Sequence, residues 1–176
     1  MTSYQTKIKD ELRRIQDGPG IAEKPQGLGT VEFTVTCSGN SWKVLTKVKE
    51  VLRIISSTCY NKLPLDNEWF KILPDWFIAQ CVPEMSSEQI EEWLVWWRKL
   101  SNEEQIKADR EKKWSLLDWV YWFEEDNRVW FWWDAIEKSP NLLLVYVEVR
   151  EWPFPWGALR WLFKAAGAID VESKDD

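Results

Sequence analysis

The sequence contains no histidine. Histidine supplies the base in Ser-His-Asp and Cys-His active sites, and it is a frequent zinc ligand. Its absence excludes Ser-His-Asp active sites, Cys-His active sites and zinc sites with histidine ligands. Cysteine is also scarce: Cys37, Cys59 and Cys81 are odd in number and have no C-x-x-C spacing. We therefore expect neither a disulfide framework nor a thiolate metal site, and we interpret the cysteines as buried thiols of a reducing compartment.

Long apolar runs are absent as well. None approaches the roughly 18 residues that span a bilayer, and the first segment, TSYQTKIKDELRRIQD, is too highly charged for a secretory signal. These absences predict a cytoplasmic protein that does not enter a membrane. Basic residues are outnumbered, 23 against 29, which leaves a net charge of −6. That charge disfavours nucleic acid and anionic lipid and favours basic protein partners.

Motifs for phosphate or dinucleotide binding are missing too. The glycine-containing stretch QGLGT precedes a predicted strand, whereas a phosphate-binding loop follows one. Carboxylates occur in clusters, and glycoside hydrolysis uses two of them facing each other across a sugar. Such clusters are more typical of the polar faces of helices and of turns. We predict no catalytic residue, no cofactor and no metal.

Tryptophan is the residue in excess, with 15 in 176 residues. A domain of this size cannot easily bury all of these rings, because Trp is large and its indole N–H needs a hydrogen-bond partner. Some of the rings should therefore be partly exposed. Exposed Trp is typical of protein interfaces, where it combines a large area with little rotamer entropy. For any single Trp, a place in the core is the competing interpretation.

Hydrophobic periodicity predicts helices over most of the chain. Apolar residues recur at intervals of three and four in the segments 2–16, 41–55 and 86–100. Two short helices are predicted near Asn67–Leu73 and Pro74–Cys81. Residues 114–123 are apolar on nearly every side, so this helix should be buried or form an interface. A last helix is predicted to begin at Pro155 and to end at Gly167.

Two helix starts in the centre of the chain carry a capping-box signature. Ser86 with Gln89, and Ser101 with Glu104, have the spacing at which the two side chains bond each other's backbone N–H groups. The second box opens the charged stretch NEEQIKADREKK, which is predicted to be solvated.

Strand patterns are fewer and lead to the fold class. Residues 31–37 alternate between apolar and polar side chains, and residues 142–149 begin as a continuous apolar run that is typical of a central strand. We predict an α+β fold dominated by helix. It should be a bundle of about six to seven helices with a small sheet built from strands near 30–37 and 142–149.

The chain shows no compositional boundary between domains. We therefore predict a single domain over residues 1–176. Four glycines and two prolines within residues 17–29 predict a flexible linker, and the acidic residues 170–176 are predicted to be a frayed tail.

The stretch NRVWFWW, residues 127–133, concentrates four aromatic rings directly after an acidic triplet. As a helix it would spread the rings around the axis, and as a strand it would alternate them between two faces. At least one ring should then reach the surface unless the segment is buried all round. In the helix over 86–100, Trp96 lies off the apolar stripe and is a further exposed candidate.

These patterns favour a non-enzymatic, acidic protein-binding module, of the type of a bacterial immunity protein or antitoxin that occludes a basic partner. The predicted contact residues are Glu124, Glu125, Asp126, Trp130, Trp133 and Trp96. One alternative is an enzyme or receptor for a small aromatic or saccharide ligand, with carboxylates beside Trp rings. Another is a structural module of a larger assembly. The sequence does not determine the oligomeric state.

Overall fold

A computed structural model describes residues 3–61 and 63–175 of the chain and has an α+β fold. Within those ranges it contains eight α-helices and a four-stranded antiparallel sheet, about 49% helix and 18% strand. The helices are α1 (Ser3–Asp17), α2 (Ser41–Asn61), α3 (Trp69–Ile72), α4 (Asp75–Ile78), α5 (Ser87–Trp97), α6 (Asn102–Glu111), α7 (Leu116–Tyr121) and α8 (Gly157–Ala166). The strands are β1 (Thr30–Thr36), β2 (Trp130–Ser139), β3 (Leu142–Val149) and β4 (Asp170–Ser173). The predicted fold class and the dominance of helix are confirmed.

The sheet is larger than predicted. Its order is β2-β3-β1-β4, so both predicted strands are present and β3 is central. The two strands that were not predicted lie at its edges. One of them, β4, falls in the segment predicted as a frayed tail, where Val171 is buried and pairs with Val35. The prediction of a frayed tail is therefore wrong for residues 170–173, while residue 176 lies outside the described residues.

One face of the sheet carries the main core. Val31, Phe33 and Val35 of β1 point to this face, and so do the alternate residues of β3 that pair with them. The register of β2 places Trp130 opposite Val149 and therefore on the same face. Helices α2, α7 and α8 contribute most of the other buried side chains of this cluster, and α1, α3 and α4 contribute one each.

Helix α8 begins later than the sequence predicts. Its first helical residue is Gly157, whereas the proline rule predicts Pro155. Its end is predicted correctly, because Gly167 has φ 111° and forms the left-handed cap.

Helix α1 covers the edge of β2. The backbone N–H of Trp132 donates to Oε1 of Glu11 at 2.6 Å, and the carbonyl of Trp132 accepts from Nε of Arg14 at 3.0 Å. An uncovered edge strand leaves such groups open to pairing with another chain. Side chains of α1 therefore take the place of a fifth strand.

An ion pair buried beneath α1 joins it to the chain just before β2. Both oxygens of Glu11 accept from Nη2 of Arg128, at 2.7 and 2.8 Å, and both side chains are fully buried. Ser56 of α2 donates to Oε2 of Glu11 at 2.8 Å, and Nε of Arg128 donates to the carbonyl of Trp130 at 3.2 Å. The charges are thus compensated by hydrogen bonds from three parts of the chain, which a buried ion pair requires.

The segment predicted as a linker contains no helix or strand between residues 18 and 29, yet it is fastened to the fold. Burial tends to raise the pKa of Glu23, but hydrogen bonds from Gly20 N–H and from the guanidinium groups of Arg14 and Arg13 outweigh burial and lower this pKa. Further along, Leu28 N–H donates to the carbonyl of Val149 at 3.3 Å. These contacts tie the segment to α1 and to the end of β3.

Residues 83–113 form an excursion from this body that we call the arm. It leaves and returns at neighbouring points, because Val82 N–H donates to the carbonyl of Trp114 at 3.0 Å and Val82 bridges to Ser115. The arm consists of α5 and α6 with their connections. Both predicted capping boxes are confirmed at its two helix starts. Neither helix contributes a buried residue.

Candidate protein-binding surface

Trp130 was predicted as a contact residue, and the structure contradicts this. Only 2% of its surface is exposed, and its ring packs edge-on against Phe123 at 5.6 Å between ring centroids. The reason is its register on β2, which directs Trp130 to the core face. Of the four rings in NRVWFWW, Trp130, Phe131 and Trp132 are buried and Trp133 is half-buried. The stretch is therefore mainly core.

Trp133 lies at a break in the ladder between β2 and β3, where the register shifts between Trp132 and Asp134. Its ring packs against α1, with Cζ of Arg14 at 4.8 Å from the ring centroid. A cation that already covers one side of the indole reduces the area left for a partner. Trp133 therefore offers only part of the contact area that the sequence suggests.

The acidic triplet forms the turn between α7 and β2. Glu125 and Asp126 are exposed, while Glu124 is half-buried. The carbonyl of Glu124 accepts from Asn127 N–H at 3.0 Å and from Arg128 N–H at 2.9 Å, so its backbone shapes the turn. The triplet is thus an acidic surface, but the aromatic residues on either side of it in sequence, Phe123 and Trp130, are both turned away from solvent.

Trp96 is exposed on α5 and has other carboxylates beside it. About 49% of its surface is accessible, and Val95 next to it is 43% exposed. These two side chains border a shallow groove of about 580 Å³. The remaining residues along the groove are Glu88, Glu91, Glu92 and Lys99. Trp96 is therefore exposed, as its position off the apolar stripe predicts, but the carboxylates beside it belong to the arm and not to the triplet Glu124–Asp126.

The opposite side of α5 packs within the arm and against its base. Trp93 stacks on Trp97 with ring centroids 6.2 Å apart, and Nζ of Lys112 lies 4.9 Å from the Trp93 ring. Nε1 of Trp97 donates to Oδ1 of Asp109 in α6 at 3.2 Å. Because Trp93 and Trp97 face inward, the two sides of α5 differ, and Trp96 is left on the outer one.

The sequence contains a signal for this surface that apolar periodicity alone does not reveal. From Glu88, the groove residues follow at three, four, seven, eight and eleven positions, which is one continuous stripe of a helix. Searching for the apolar stripe alone selects the inward side. The acidic stripe is predicted by the spacing of the charged residues on the other face of the same helix.

Local hydrogen bonds lower the pKa of two glutamates. Hydrogen bonds from Tyr146 and Lys174 lower the pKa of Glu32, and those from the backbone and hydroxyl of Ser101 lower the pKa of Glu104. A carboxylic acid that donates a proton near neutral pH needs the opposite shift. Burial raises the pKa of the Cys81 thiol to about 11, which disfavours the nucleophilic thiolate.

Within the described ranges, 3–61 and 63–175, no three His, Cys, Asp or Glu side chains are grouped so that they could hold a metal ion. No helix in the same ranges is both long and apolar enough to cross a membrane.

Comparison with protein-family models, curated proteins and solved structures finds no match to this chain. The fold and the surfaces described above therefore carry the functional argument alone.

Proposed function

We propose that the protein is a non-enzymatic binding protein whose arm takes up a basic, amphipathic helix of a protein partner. The observation that carries this proposal is the outer stripe of α5, with Trp96 and Val95 exposed beside three carboxylates. When an amphipathic helix of a partner binds in a groove, its apolar anchor residues recur at intervals of three and four. The residues of this stripe recur at the same intervals, so the two surfaces can run side by side.

The apolar part of the stripe supplies the contact area. Trp96 is an exposed aromatic on a helix that contributes no buried residue, and its ring contacts Trp93 of the same helix, with 6.3 Å between ring centroids, rather than a residue of the core. Interfaces are enriched in Trp, and a few such anchors carry most of the binding free energy.

The charged part of the stripe selects the partner. Glu88, Glu91 and Glu92 precede the apolar pair along α5, and among the described residues that line the groove Lys99 is the only cation. This local excess of negative charge has the sign of the net charge, −6. Complementary potentials accelerate association with a basic surface and discourage acidic partners. A protein of this kind suits the occlusion of a basic active site, which is the action of immunity proteins and antitoxins.

The test uses a defined probe. A fluorescein-labelled 18-residue amphipathic peptide with lysine on its polar face is titrated against the protein, and anisotropy reports binding. A peptide of the same pattern with glutamate in place of lysine is the charge control. We expect the lysine peptide to bind at low salt. Its affinity should fall as salt is added, because salt screens the attraction between the peptide's lysines and the glutamates of the stripe. Equal binding of the glutamate peptide would overturn the proposal.

Two matched double variants locate the surface. Glu91→Lys with Glu92→Lys reverses the stripe, whereas Glu124→Lys with Glu125→Lys makes the same charge change at the turn between α7 and β2. The first pair should abolish binding of the lysine peptide and the second should leave most of it. The reverse result would move the site to the turn and overturn the assignment to the arm.

A second copy of the chain is the competing occupant of this face. Sedimentation of the wild type and of Trp96→Ala distinguishes the two. We expect both to sediment as the same species. A wild-type dimer that Trp96→Ala dissociates would show that the stripe pairs with itself and would refute a basic partner there.

The alternative function, a receptor or enzyme with carboxylates beside Trp rings, gains no support from these residues. Carboxylates do contact indoles, as Glu50 Oε2 accepts from Nε1 of Trp76 at 3.0 Å. That contact joins two neighbouring helices, α2 and α4, and so has a structural role.

A further inference from the structure

A cavity of about 710 Å³ lies at the base of the arm, between the end of α6 and the segment that leads into α8. Its volume is within the range of small-molecule sites, about 300–1,000 Å³. Four aromatic rings form much of its wall: Trp114, Trp122, Phe154 and Trp156. This cavity is separate from the groove on the outer side of α5.

Gly157 allows one of these rings to lie directly against the start of α8. A Cβ atom at this position would come within 2.9 Å of Cζ2 of Trp114, which is closer than real contacts allow. Any side chain at Gly157 would therefore displace the indole. The shape of this wall therefore requires glycine, which has no side chain, at position 157.

The polar side chains of the cavity are mostly cations. Arg110, Lys112 and Arg160 line it, with Asp109 as the single carboxylate. Oδ1 of Asp109 accepts a hydrogen bond from Trp97. Among the described residues, neither Arg110 nor Lys112 forms an ion pair with a carboxylate within 4.0 Å.

Two of these cations lie beside the aromatic wall. Cζ of Arg160 lies 3.9 Å from the centroid of Trp156, and Nζ of Lys112 lies 5.5 Å from that of Trp114. An adjoining cavity of about 280 Å³ adds two further cations, Lys113 and Lys164, and one further carboxylate, Glu111, to the same region. In a chain with net charge −6, this concentration of positive charge is local.

We propose that this cavity binds a small planar anion: an aromatic ring that carries a carboxylate or a phosphate. The aromatic wall provides apolar contact for a planar ring, and the cations that lie beside two of its indoles neutralise the charged group at the cavity edge. This site differs from the predicted receptor that has carboxylates beside Trp rings, because most of the charged side chains beside this aromatic wall are cations. The inference is independent of the proposed function, because it involves neither the outer stripe of α5 nor a protein partner.

The first experiment separates ring from charge. Isothermal titration calorimetry is carried out on the full chain with 2-naphthoate, with uncharged 2-naphthamide and with cyclohexanecarboxylate, which has the charge but no aromatic ring. We expect 2-naphthoate to bind, and each of the others to bind at least roughly tenfold more weakly, which corresponds to the loss of one favourable interaction. Equal affinity for the naphthoate and the naphthamide would overturn the proposal.

Two further ligands distinguish the sources of the anion. Adenosine monophosphate tests a phosphate on a planar base, and an oligothymidine of eight residues tests a single-stranded nucleic acid. Binding of either 2-naphthoate or the nucleotide supports the proposal and assigns the charged group. An oligothymidine that binds far more tightly than the nucleotide would assign the surface to nucleic acid and refute a small-molecule site.

Matched variants then locate the site. Arg160→Gln removes one charge from this cavity and should weaken 2-naphthoate by roughly tenfold. The control is Arg13→Gln, which removes one charge from a different, polar cavity beside α1. Arg13 lines that cavity with Arg14 and Glu23, so the change should not affect binding of 2-naphthoate. Gly157→Ala should also weaken binding by displacing Trp114. If Gly157→Ala does not fold, the two arginine variants decide: equal effects would overturn the assignment.

Discussion

The covered edge of β2 and the arm use charged and aromatic side chains in opposite ways. At the edge, Glu11 and Arg128 are fully buried, and hydrogen bonds from backbone and side chains compensate their charges. On the arm, Trp96 and Val95 are exposed, although residues of these types usually occupy a core. Each region thus departs from the simple rule of apolar inside and polar outside, and the two departures point in opposite directions.

The difference separates residues that hold the fold from residues that are available to partners. A buried charge is tolerated only where its surroundings compensate it, so changing Arg128 should disturb the fold. An exposed Trp on a helix with no buried residue contributes little to folding, so changing it should leave the fold intact. Substitutions in the two regions should therefore have effects of very different size.

The largest effect is expected for Arg128→Met. This substitution leaves Glu11 as a buried charge without its partner, and such losses cost about 3–5 kcal/mol. Urea unfolding, followed by circular dichroism, measures the change in the free energy of unfolding. The exposed pair Lys107–Glu111 offers a control, because Lys107→Ala should change stability by at most about 0.5 kcal/mol.

The double variant Glu11→Leu with Arg128→Met sharpens this test. It should be less destabilised than the sum of the two single variants, since neither charge is then left alone. An additive result would mean that the pair has no energetic coupling and would contradict the compensation of each buried charge by the other.

The sequence was sufficient to predict elements that local patterns define. The alternation of β1, the continuous apolar run of β3 and both serine capping boxes depend on neighbouring residues, and all were predicted correctly. The two edge strands depend on distant partners. Four aromatic rings in succession hide the period of two at the start of β2, and β4 is a short, charged segment that is ordered by pairing with β1.

The candidate site was predicted in part for the same reason. The exposure of Trp96 follows from its place on the helix, which the sequence shows. The burial of Trp130 depends on its register opposite Val149, which local sequence does not specify. The burial of Glu11 likewise depends on Arg128, which is 117 positions away.

An intermediate effect is expected for Ser86→Ala. Oγ of Ser86 accepts from Gln89 N–H at 3.2 Å, and the loss of such a cap costs about 1 kcal/mol. On the arm this cost should be local. Hydrogen exchange followed by mass spectrometry should show faster exchange in α5, while the midpoint of global unfolding stays unchanged.

Ser115→Ala is the matched change outside the arm. Ser115 is buried and caps α7, where its Oγ accepts from Asp118 N–H at 3.4 Å. Its loss should lower the global free energy of unfolding by about 1 kcal/mol. If both serine variants shift the global midpoint equally, the arm unfolds together with the body, and the contrast between the two regions disappears.

The smallest effect on stability is expected for Trp96→Ala, although it removes the largest type of side chain. Because about half of the ring is exposed, the free energy of unfolding should change by no more than about 0.5 kcal/mol. Trp119→Ala removes the same side chain from the core, where Nε1 donates to the carbonyl of Ala158 at 2.9 Å, and should cost about 3–5 kcal/mol. Parallel urea titrations measure both. A loss of several kcal/mol at Trp96 would show that this ring supports the fold, and its place in a partner-binding stripe would have to be abandoned.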